Sequence, residues 1–335
     1  MYLGSPYGSV IALDATTGEE HWRFDLPDGA LPSRRGIAYW PGDGSIPPSL
    51  IFGASSGALY SITTADGTLN AGFGDNGIVD LKTSVVMRAS TDARYSLPSA
   101  PAIYKNLAIT GAGTGEGRGF PNGTGPAGDT RAWDARTGDL VWSFHTVPRP
   151  DEFGYDSWAG DSARDRSGVN VWGYMSLDAE RGILYMPSGA PNDDRVGGDR
   201  PGDNLFSSSI VAVNAETGEY LWQFQFVHHD IWDYDAQSAP LVVDLDRGGE
   251  TIPALIIVNK AGLMFTLNRI TGEPIFDVEE RPVPASDVPG ELASPTQPFP
   301  VKPEPLTQNT VSRDNLYTGE PQHQADCERM VDDNN

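Results

Sequence analysis

The 335 residues carry 23 basic and 46 acidic side chains, a net charge of −23, which argues against nucleic acid or an anionic membrane surface as partner. With 39% hydrophobic and 10% aromatic residues, the chain has the material for a substantial core and is not disordered. Its 38 glycines and 27 prolines are spread along the whole length, so short strands and many turns are expected rather than long helices. No stretch approaches the roughly 18 consecutive apolar residues of a membrane-spanning helix, and the opening MYLGSPYGS lacks the basic and apolar regions of a signal peptide. The single cysteine, Cys327, leaves no internal disulfide and no multi-cysteine zinc site.

In chain order, the first predicted element is the hairpin ALDATTGEEHW (12–22). A weaker copy, LYSITTADGTL (59–69), keeps Gly67 but has Ala71 in the aromatic slot. AWDARTGDLVW (132–142), AVNAETGEYLW (212–222) and TLNRITGEPIF (266–276) follow. The register is Asp14/Gly18/Trp22, Asp134/Gly138/Trp142, Asn214/Gly218/Trp222 and Asn268/Gly272/Phe276. Each copy predicts two strands and a tight turn: Asp or Asn bonds the turning backbone, and glycine takes the left-handed conformation. After the turn, Trp22 and Phe24, Trp142 and Phe144, and Trp222, Phe224 and Phe226 alternate and so share a buried face. Spacings of 49, 71, 80 and 54 residues between the glycines from Gly18 to Gly272 leave room for four-stranded units, which predicts propeller blades or a solenoid. The repeat tryptophans define packing and not chemistry.

The Asp-x-x-x-Gly-x-x-x-Trp hairpins resemble the tryptophan-docking repeat of quinoprotein dehydrogenases, eight-bladed β-propellers that carry pyrroloquinoline quinone (PQQ) on their axis. The hairpin also occurs in propellers that are pure scaffolds. More specific are VNVWGYMSLDAERGILYMPSG (169–189), GGDRPGDNLFSSSIVAVNAETG (197–218), HHDIWDYD (228–235), VNKAGLMFTLNRITGEP (258–274) and SPTQPFPVKPEP (294–305). These resemble the membrane-linked sugar and polyol branch, which includes glucose and quinate dehydrogenases. The resemblance implies an all-β fold: one incomplete eight-bladed propeller over residues 1–335, with about five blades, opening inside a blade and truncated at both ends.

In a propeller, loops converge at one end of the channel, so residues distant in sequence meet around one ligand. Within HHDIWDYD, Asp230, Asp233 and Asp235 are equivalent turn formers by composition. The resemblance selects Asp233 as the base that takes the substrate hydroxyl proton while hydride passes to the quinone. Lys260 matches a basic residue that hydrogen-bonds the quinone oxygens and stabilises charge on the reduced quinone; alternatively it is a solvated lysine at a turn. Trp172 lies outside the repeat register and matches a floor tryptophan stacked on the cofactor; core packing is its alternative.

A metal site built on His228 and His229 is disfavoured, because adjacent strand residues point to opposite faces. One is expected at the active-site mouth, with His229 counted among the cofactor-binding residues, and the other in packing. The resemblance further implies Ca2+, or Mg2+, as a Lewis acid with oxygen ligands. Glu116 in GAGTGEGRG and Asn192 in SGAPNDD are the candidate ligands, although Ala190 stands where many relatives carry an oxygen-bearing side chain. GAGTGEG does not spell the dinucleotide-binding pattern. Tyr7 occupies the place of a histidine near the cofactor in sugar-oxidising relatives, and is counted as cofactor-binding. No adjacent cysteine pair is present.

The expected function is thus a PQQ-dependent dehydrogenase oxidising an aldose such as glucose, or a polyol, and passing electrons to a membrane quinone. It would work in the periplasm, membrane-anchored in its full-length form. A non-catalytic propeller scaffold would explain the repeats but not Asp233, Lys260 and Trp172. A His/Asp hydrolase lacks a serine or cysteine elbow and ranks last.

Overall fold

The computed structural model describes residues 1–83, 94–115, 123–164, 166–236, 238–308 and 312–333. The first unit holds β1 (Tyr2–Gly4), β2 (Ser9–Leu13) and β3 (Glu20–Asp25). Three four-stranded units follow. They are β4 (Ala38–Trp40), β5 (Ser49–Gly53), β6 (Ala58–Thr63) and β7 (Ile78–Asp80); β8 (Ala102–Tyr104), β9 (Leu107–Thr110), β10 (Thr130–Asp134) and β11 (Leu140–Phe144); and β12 (Ser176–Asp178), β13 (Ile183–Pro187), β14 (Ser209–Asn214) and β15 (Tyr220–Gln225). The fifth holds β16 (Leu241–Arg247), β17 (Glu250–Val258) and β18 (Met264–Asn268). A two-stranded hairpin, β19 (Val278–Pro282) with β20 (Thr296–Pro300), and one exposed helix, α1 (Pro321–Asp333), complete the described chain.

Every sheet is an antiparallel meander in sequence order. The first strands of successive units, β4, β8, β12 and β16, lie against one another in turn. They form the inner edge of each sheet, and later strands step outward. This is the blade arrangement of a propeller.

The repeat hairpins join β2 to β3, β10 to β11 and β14 to β15, with the pairing register shifting at the same place in each, next to Ala12, Ala132 and Ala212. In the first turn Asp14 Oδ1 accepts the N–H groups of Thr16 and Thr17 at 2.8 Å, and Gly18 N–H closes onto Asp14 O at 2.9 Å. Gly18, Gly138, Gly218 and Gly272 all have φ between +74° and +78°, where a Cβ is costly.

Two of these glycines, Gly218 and Gly272, serve a second purpose. A Cβ on Gly218 would stand 2.7 Å from the ring of Trp142, and one on Gly272 would stand 2.6 Å from Trp222. Each outer-strand tryptophan therefore lies on the turn of the next blade. Trp22 docks likewise on Gly67, and its indole N–H donates to Thr64 O at 3.1 Å. The second blade lacks the aromatic, with Ala71 in the slot. There Gly138 meets the backbone of Gly74 instead, and Gly74 N–H donates to Thr137 O at 2.8 Å.

The core follows from this docking. It is a series of layers between blades, such as Trp142, Phe144, Leu184 and Val211 between the third and fourth, and Tyr185, Trp222, Phe226 and Phe265 between the fourth and fifth. The first of these layers joins the aromatic face of the third sheet to the β-branched and leucine face of the fourth, and the second adds Phe265 from the fifth.

Candidate active site at the inner end of the blades

Trp172 lies on the segment that leads into β12, and its backbone is fixed by linkers from earlier blades. Its carbonyl accepts Ser99 Oγ at 2.7 Å and Arg35 Nη1 at 3.4 Å. One residue earlier, Val171 O accepts Ala112 N–H at 3.1 Å and passes so close to Gly111 that a Cβ there would stand 1.9 Å away. The indole borders a cleft of about 420 Å³ that Arg34, Arg35, Arg94, Ser96 and Thr114 also line. The Arg35 guanidinium carbon is 4.8 Å from the indole centroid and the Lys260 ammonium is 5.7 Å from it. A flat aromatic wall with three arginines suits a flat, polyanionic ligand.

Lys260 is placed by the turn between β17 and β18. Gly262, at φ +71°, returns its N–H to Asn259 O at 3.0 Å, while Asn259 Oδ1 accepts Leu263 N–H. From this turn Lys260 Nζ reaches Asp233 Oδ1 at 2.8 Å and Asp235 Oδ2 at 2.7 Å. Burial works against the ammonium, but the two carboxylates outweigh it and hold its pKa above the ordinary lysine value.

HHDIWDYD leaves β15 and curls back across the inner end of the sheet. Asp230 is fully buried: it accepts Trp232 N–H at 2.9 Å, Tyr234 N–H at 2.8 Å and the Ser208 hydroxyl at 2.6 Å. Burial raises its pKa, against those three donors. It is the turn former expected from sequence. Asp233 has φ +63°, a region that a non-glycine residue seldom enters, and its side chain turns toward Lys260 and, at 3.7 Å, Arg195.

Asp235 departs from the turn-former expectation. Its carboxylate faces inward, where Oδ1 accepts Ala190 N–H at 2.6 Å and Oδ2 accepts the Trp172 indole N–H at 3.2 Å besides the Lys260 ammonium. Burial pushes its pKa up, opposed first by Lys260. Asp194, half-buried beside Asp233 and Asp235, is pushed up to about 6 by loss of solvent and by those two carboxylates.

The structure thus gathers Trp172, Asp233 and Lys260, and adds Asp235, Arg34, Arg35 and Arg94, which sequence reasoning missed. The paired arginines of PSRRG, between two blade strands and outside any apolar period, were the available signal for two of them. The other candidates fall elsewhere. Tyr7 is 91% exposed in the turn between β1 and β2 and does not border the Trp172 cleft. His229 is buried against Gly197, its Nδ1 bonded to Gly202 O at 2.8 Å, and also does not border that cleft. His228 turns away to Gln225 and Glu280, at 2.8 and 3.1 Å. The histidines diverge, in a turn where His229 takes φ +47° and not in a strand.

Asn192 is 1% exposed, and its side-chain oxygen has no hydrogen-bond partner among the described residues. A buried amide oxygen left open in this way suits a cation ligand. Its backbone is fixed by Ser167 and Arg166. Glu116 lies outside the described residues. Among the described residues, no three His, Cys, Asp or Glu side chains gather closely enough to hold a metal ion.

Known proteins resemble this chain along most of its length. It is 28% identical to a quinate/shikimate dehydrogenase (quinone) of Acinetobacter baylyi, over 98% of this chain and 42% of the relative. It is 32% identical to a quinoprotein glucose dehydrogenase of Gluconobacter oxydans, over 89% of this chain and 39% of the relative. Among solved structures, the quinohemoprotein alcohol dehydrogenase ADHIIG of Pseudomonas putida superposes with a TM-score of 0.67 at 28% identity, covering 85% of this chain and 42% of the other. That of Comamonas testosteroni superposes at 0.69 and 24% identity, covering 90% and 44%, which supports the fold. The chain spans about two fifths of the length of the curated relatives it matches. A family match extends over residues 1–335, and with the propeller blades and the quinoprotein relatives in place, the chain belongs to the family described as PQQ: glucose/ethanol/alcohol dehydrogenase, beta-propeller domain.

Proposed function

We propose that this chain is the propeller part of a PQQ-dependent dehydrogenase that oxidises an aldose such as glucose, or a polyol, and passes electrons to a membrane quinone from the periplasmic side. The observation that supports this most is the Asp233 carboxylate, held 2.8 Å from the Lys260 ammonium beside Trp172. When bound, PQQ supplies the quinone that accepts hydride from the alcohol carbon. Trp172 would hold it by its flat face, and Arg34, Arg35 and Arg94, which line the same cleft, would hold its carboxylates, as charge-assisted pairs do. Asn192 Oδ1 would be one oxygen ligand of a Ca2+ or Mg2+ ion.

Asp233 takes the hydroxyl proton. For that one of its oxygens must be free of the Lys260 ammonium, since a lone pair already engaged in a hydrogen bond cannot also take the proton. Lys260, which lies between Asp233 and Asp235, would hold the quinone oxygens of bound PQQ with the same ammonium and leave Asp233 as the base. Quinate, glucose and glycerol in the names of relatives share a secondary alcohol or hemiacetal carbon, and this supports the sugar and polyol class.

The test is to reconstitute the intact protein with PQQ and Ca2+ and to screen sugars and polyols with an artificial electron acceptor. Asp233→Asn keeps size and most hydrogen bonding. It is expected to bind PQQ as the unaltered protein does while turnover falls roughly 100- to 10,000-fold. Near-normal turnover in that variant removes the assignment, and failure of the unaltered protein to bind PQQ removes the reading.

A further inference from the structure

Asp235 receives donors from three separate parts of the chain. Ala190 N–H comes from the segment after β13, the Trp172 indole N–H from the segment before β12, and the Lys260 ammonium from the β17–β18 turn. The Lys260 backbone N–H adds a fourth bond, to Asp235 O at 2.9 Å. Space for the carboxylate is cleared at Gly189, where a Cβ would stand 2.9 Å from Asp235 Oδ1 and 3.3 Å from the Trp172 indole nitrogen. The two acids on Lys260 differ in their access to water. Asp233 is 23% exposed at its side chain and Asp235 only 5%.

That difference decides which acid gives up the lysine first. Water re-solvates Asp233 when the ammonium moves away, whereas Asp235 would be left as a buried, weakly solvated charge. We propose that Asp235 is a positioning residue: it keeps the Lys260 ammonium and the Trp172 indole in one fixed arrangement, so that Lys260 exchanges Asp233 for a ligand oxygen without leaving the site. This rests on the dehydrogenase reading for the identity of the ligand, but the grip of Asp235 on Lys260 and Trp172 belongs to the protein alone.

The experiment compares the unaltered intact protein with Asp235→Asn, Asp235→Ala, Lys260→Ala and the double variant Asp235→Ala/Lys260→Ala. The ligand-free measurement is acylation of individual lysines at mildly alkaline pH, quantified by mass spectrometry. In Asp235→Asn, labelling of Lys260 is expected to rise on the order of tenfold, because loss of a charge-assisted partner lowers the ammonium pKa. Exposed Lys105 is unchanged. Labelling that rises equally at both lysines means that the variant has loosened globally, and the comparison is then decided by Asp235→Ala. The fluorescence attributable to Trp172, taken as the difference from a Trp172→Phe protein, shifts in the same variants.

In the holoenzyme, PQQ affinity and turnover are each expected to fall on the order of tenfold in Asp235→Ala, and the losses in Asp235→Ala/Lys260→Ala to combine to clearly less than the product of the single losses. Unchanged Lys260 labelling in both Asp235 variants, or independent multiplication of the two losses, overturns the proposal. If the unaltered protein binds no PQQ, the dehydrogenase reading fails, and labelling and fluorescence still decide the role of Asp235.

Discussion

Two tryptophan seats in this molecule are built alike and end differently. At the outer rim, Trp142 lies on Gly218, and its indole N–H donates to the neutral carbonyl of Ala215 at 3.3 Å. At the inner end, Trp172 also lies beside a glycine that leaves room for it, Gly189, but its indole N–H donates to the buried carboxylate of Asp235 while Arg35 sits over its ring. A carbonyl acceptor satisfies a polar edge at no electrostatic cost. A buried carboxylate is costly unless cations answer it, and the cations present, Lys260 foremost, have nothing to do with packing. The rim seat rests on apolar area and one neutral hydrogen bond; the inner seat adds a buried carboxylate answered by an ammonium.

The largest effect expected from breaking the comparison at the rim is on folding. Trp142→Ala empties the layer that contains Phe144, Leu184 and Val211, and is expected to cost about 3–5 kcal/mol by chemical denaturation, the usual range for a deleted core aromatic. Trp172→Ala is expected to cost clearly less stability and to lose PQQ affinity instead. Equal stability losses, with PQQ affinity intact in Trp172→Ala, would make the two seats equivalent.

Asp230 sharpens the contrast within HHDIWDYD itself. Two backbone N–H groups and the Ser208 hydroxyl converge on its carboxylate, so Asp230→Asn turns an amide N–H toward donors and leaves at least one of them unanswered. The expected loss is about 1–3 kcal/mol of stability, with the proton-transfer step retained in whatever fraction folds. A stability unchanged from wild type, or turnover falling as far as in Asp233→Asn, would put Asp230 in the chemistry.

The rim was readable because it repeats. Asp14, Gly18 and Trp22 return as Asp134, Gly138 and Trp142, and one turn rule accounts for each copy. The sequence pattern did not reveal that Gly67, Gly218 and Gly272 are also the seats for the tryptophans of the preceding blades, since that contact joins residues some 45 to 76 positions apart, as with Trp22 to Gly67 and Trp142 to Gly218. The inner end has no period to read. In HHDIWDYD, His229 and Asp233 both take positive φ, +47° and +63°, and each such residue breaks the alternation by which a strand assigns its side chains to faces. Composition could therefore not distinguish Asp230, which closes the turn, from Asp235, which leaves it for Trp172. Resemblance brought Asp233, Lys260 and Trp172 into view, while Arg34, Arg35 and Arg94 sat unremarked in linkers.

His229 allows a smaller test through pH. Burial holds its pKa below the ordinary histidine value despite the bond to Gly202 O, with Arg200 opposing protonation and Glu291 and Asp203 favouring it. The unfolded chain thus binds the proton first as pH falls through the usual histidine range. The contribution of His229 to stability is present above that range and is lost as pH drops below it. Asp194 and Asp235, with raised values, act in the opposite sense, so the total curve mixes both. The difference between the unaltered protein and His229→Gln isolates the histidine. That difference is expected to shrink as the pH is lowered from 7 toward 5 in thermal melts. A difference that is flat across the interval would mean that His229 is as free to protonate folded as unfolded.

The smallest effect belongs to a lysine that looks, on distance alone, like Lys260. Lys105 Nζ stands 2.7 Å from Glu216 Oε2, the same separation as Lys260 from Asp235. The pair bridges the third and fourth blades at the rim, but its side chains are 57% and 60% exposed, so water and salt serve either charge almost as well when the other is removed. Lys105→Ala is expected to leave the denaturation midpoint within the scatter of the measurement at physiological salt, and PQQ affinity unchanged. Lys260→Ala strands a carboxylate that is only 5% exposed, so its midpoint should respond to pH across the range where Asp235 takes up a proton, which that of Lys105→Ala should not. A Lys105 variant as costly as the Lys260 variant would show that separation governs these pairs, and not burial.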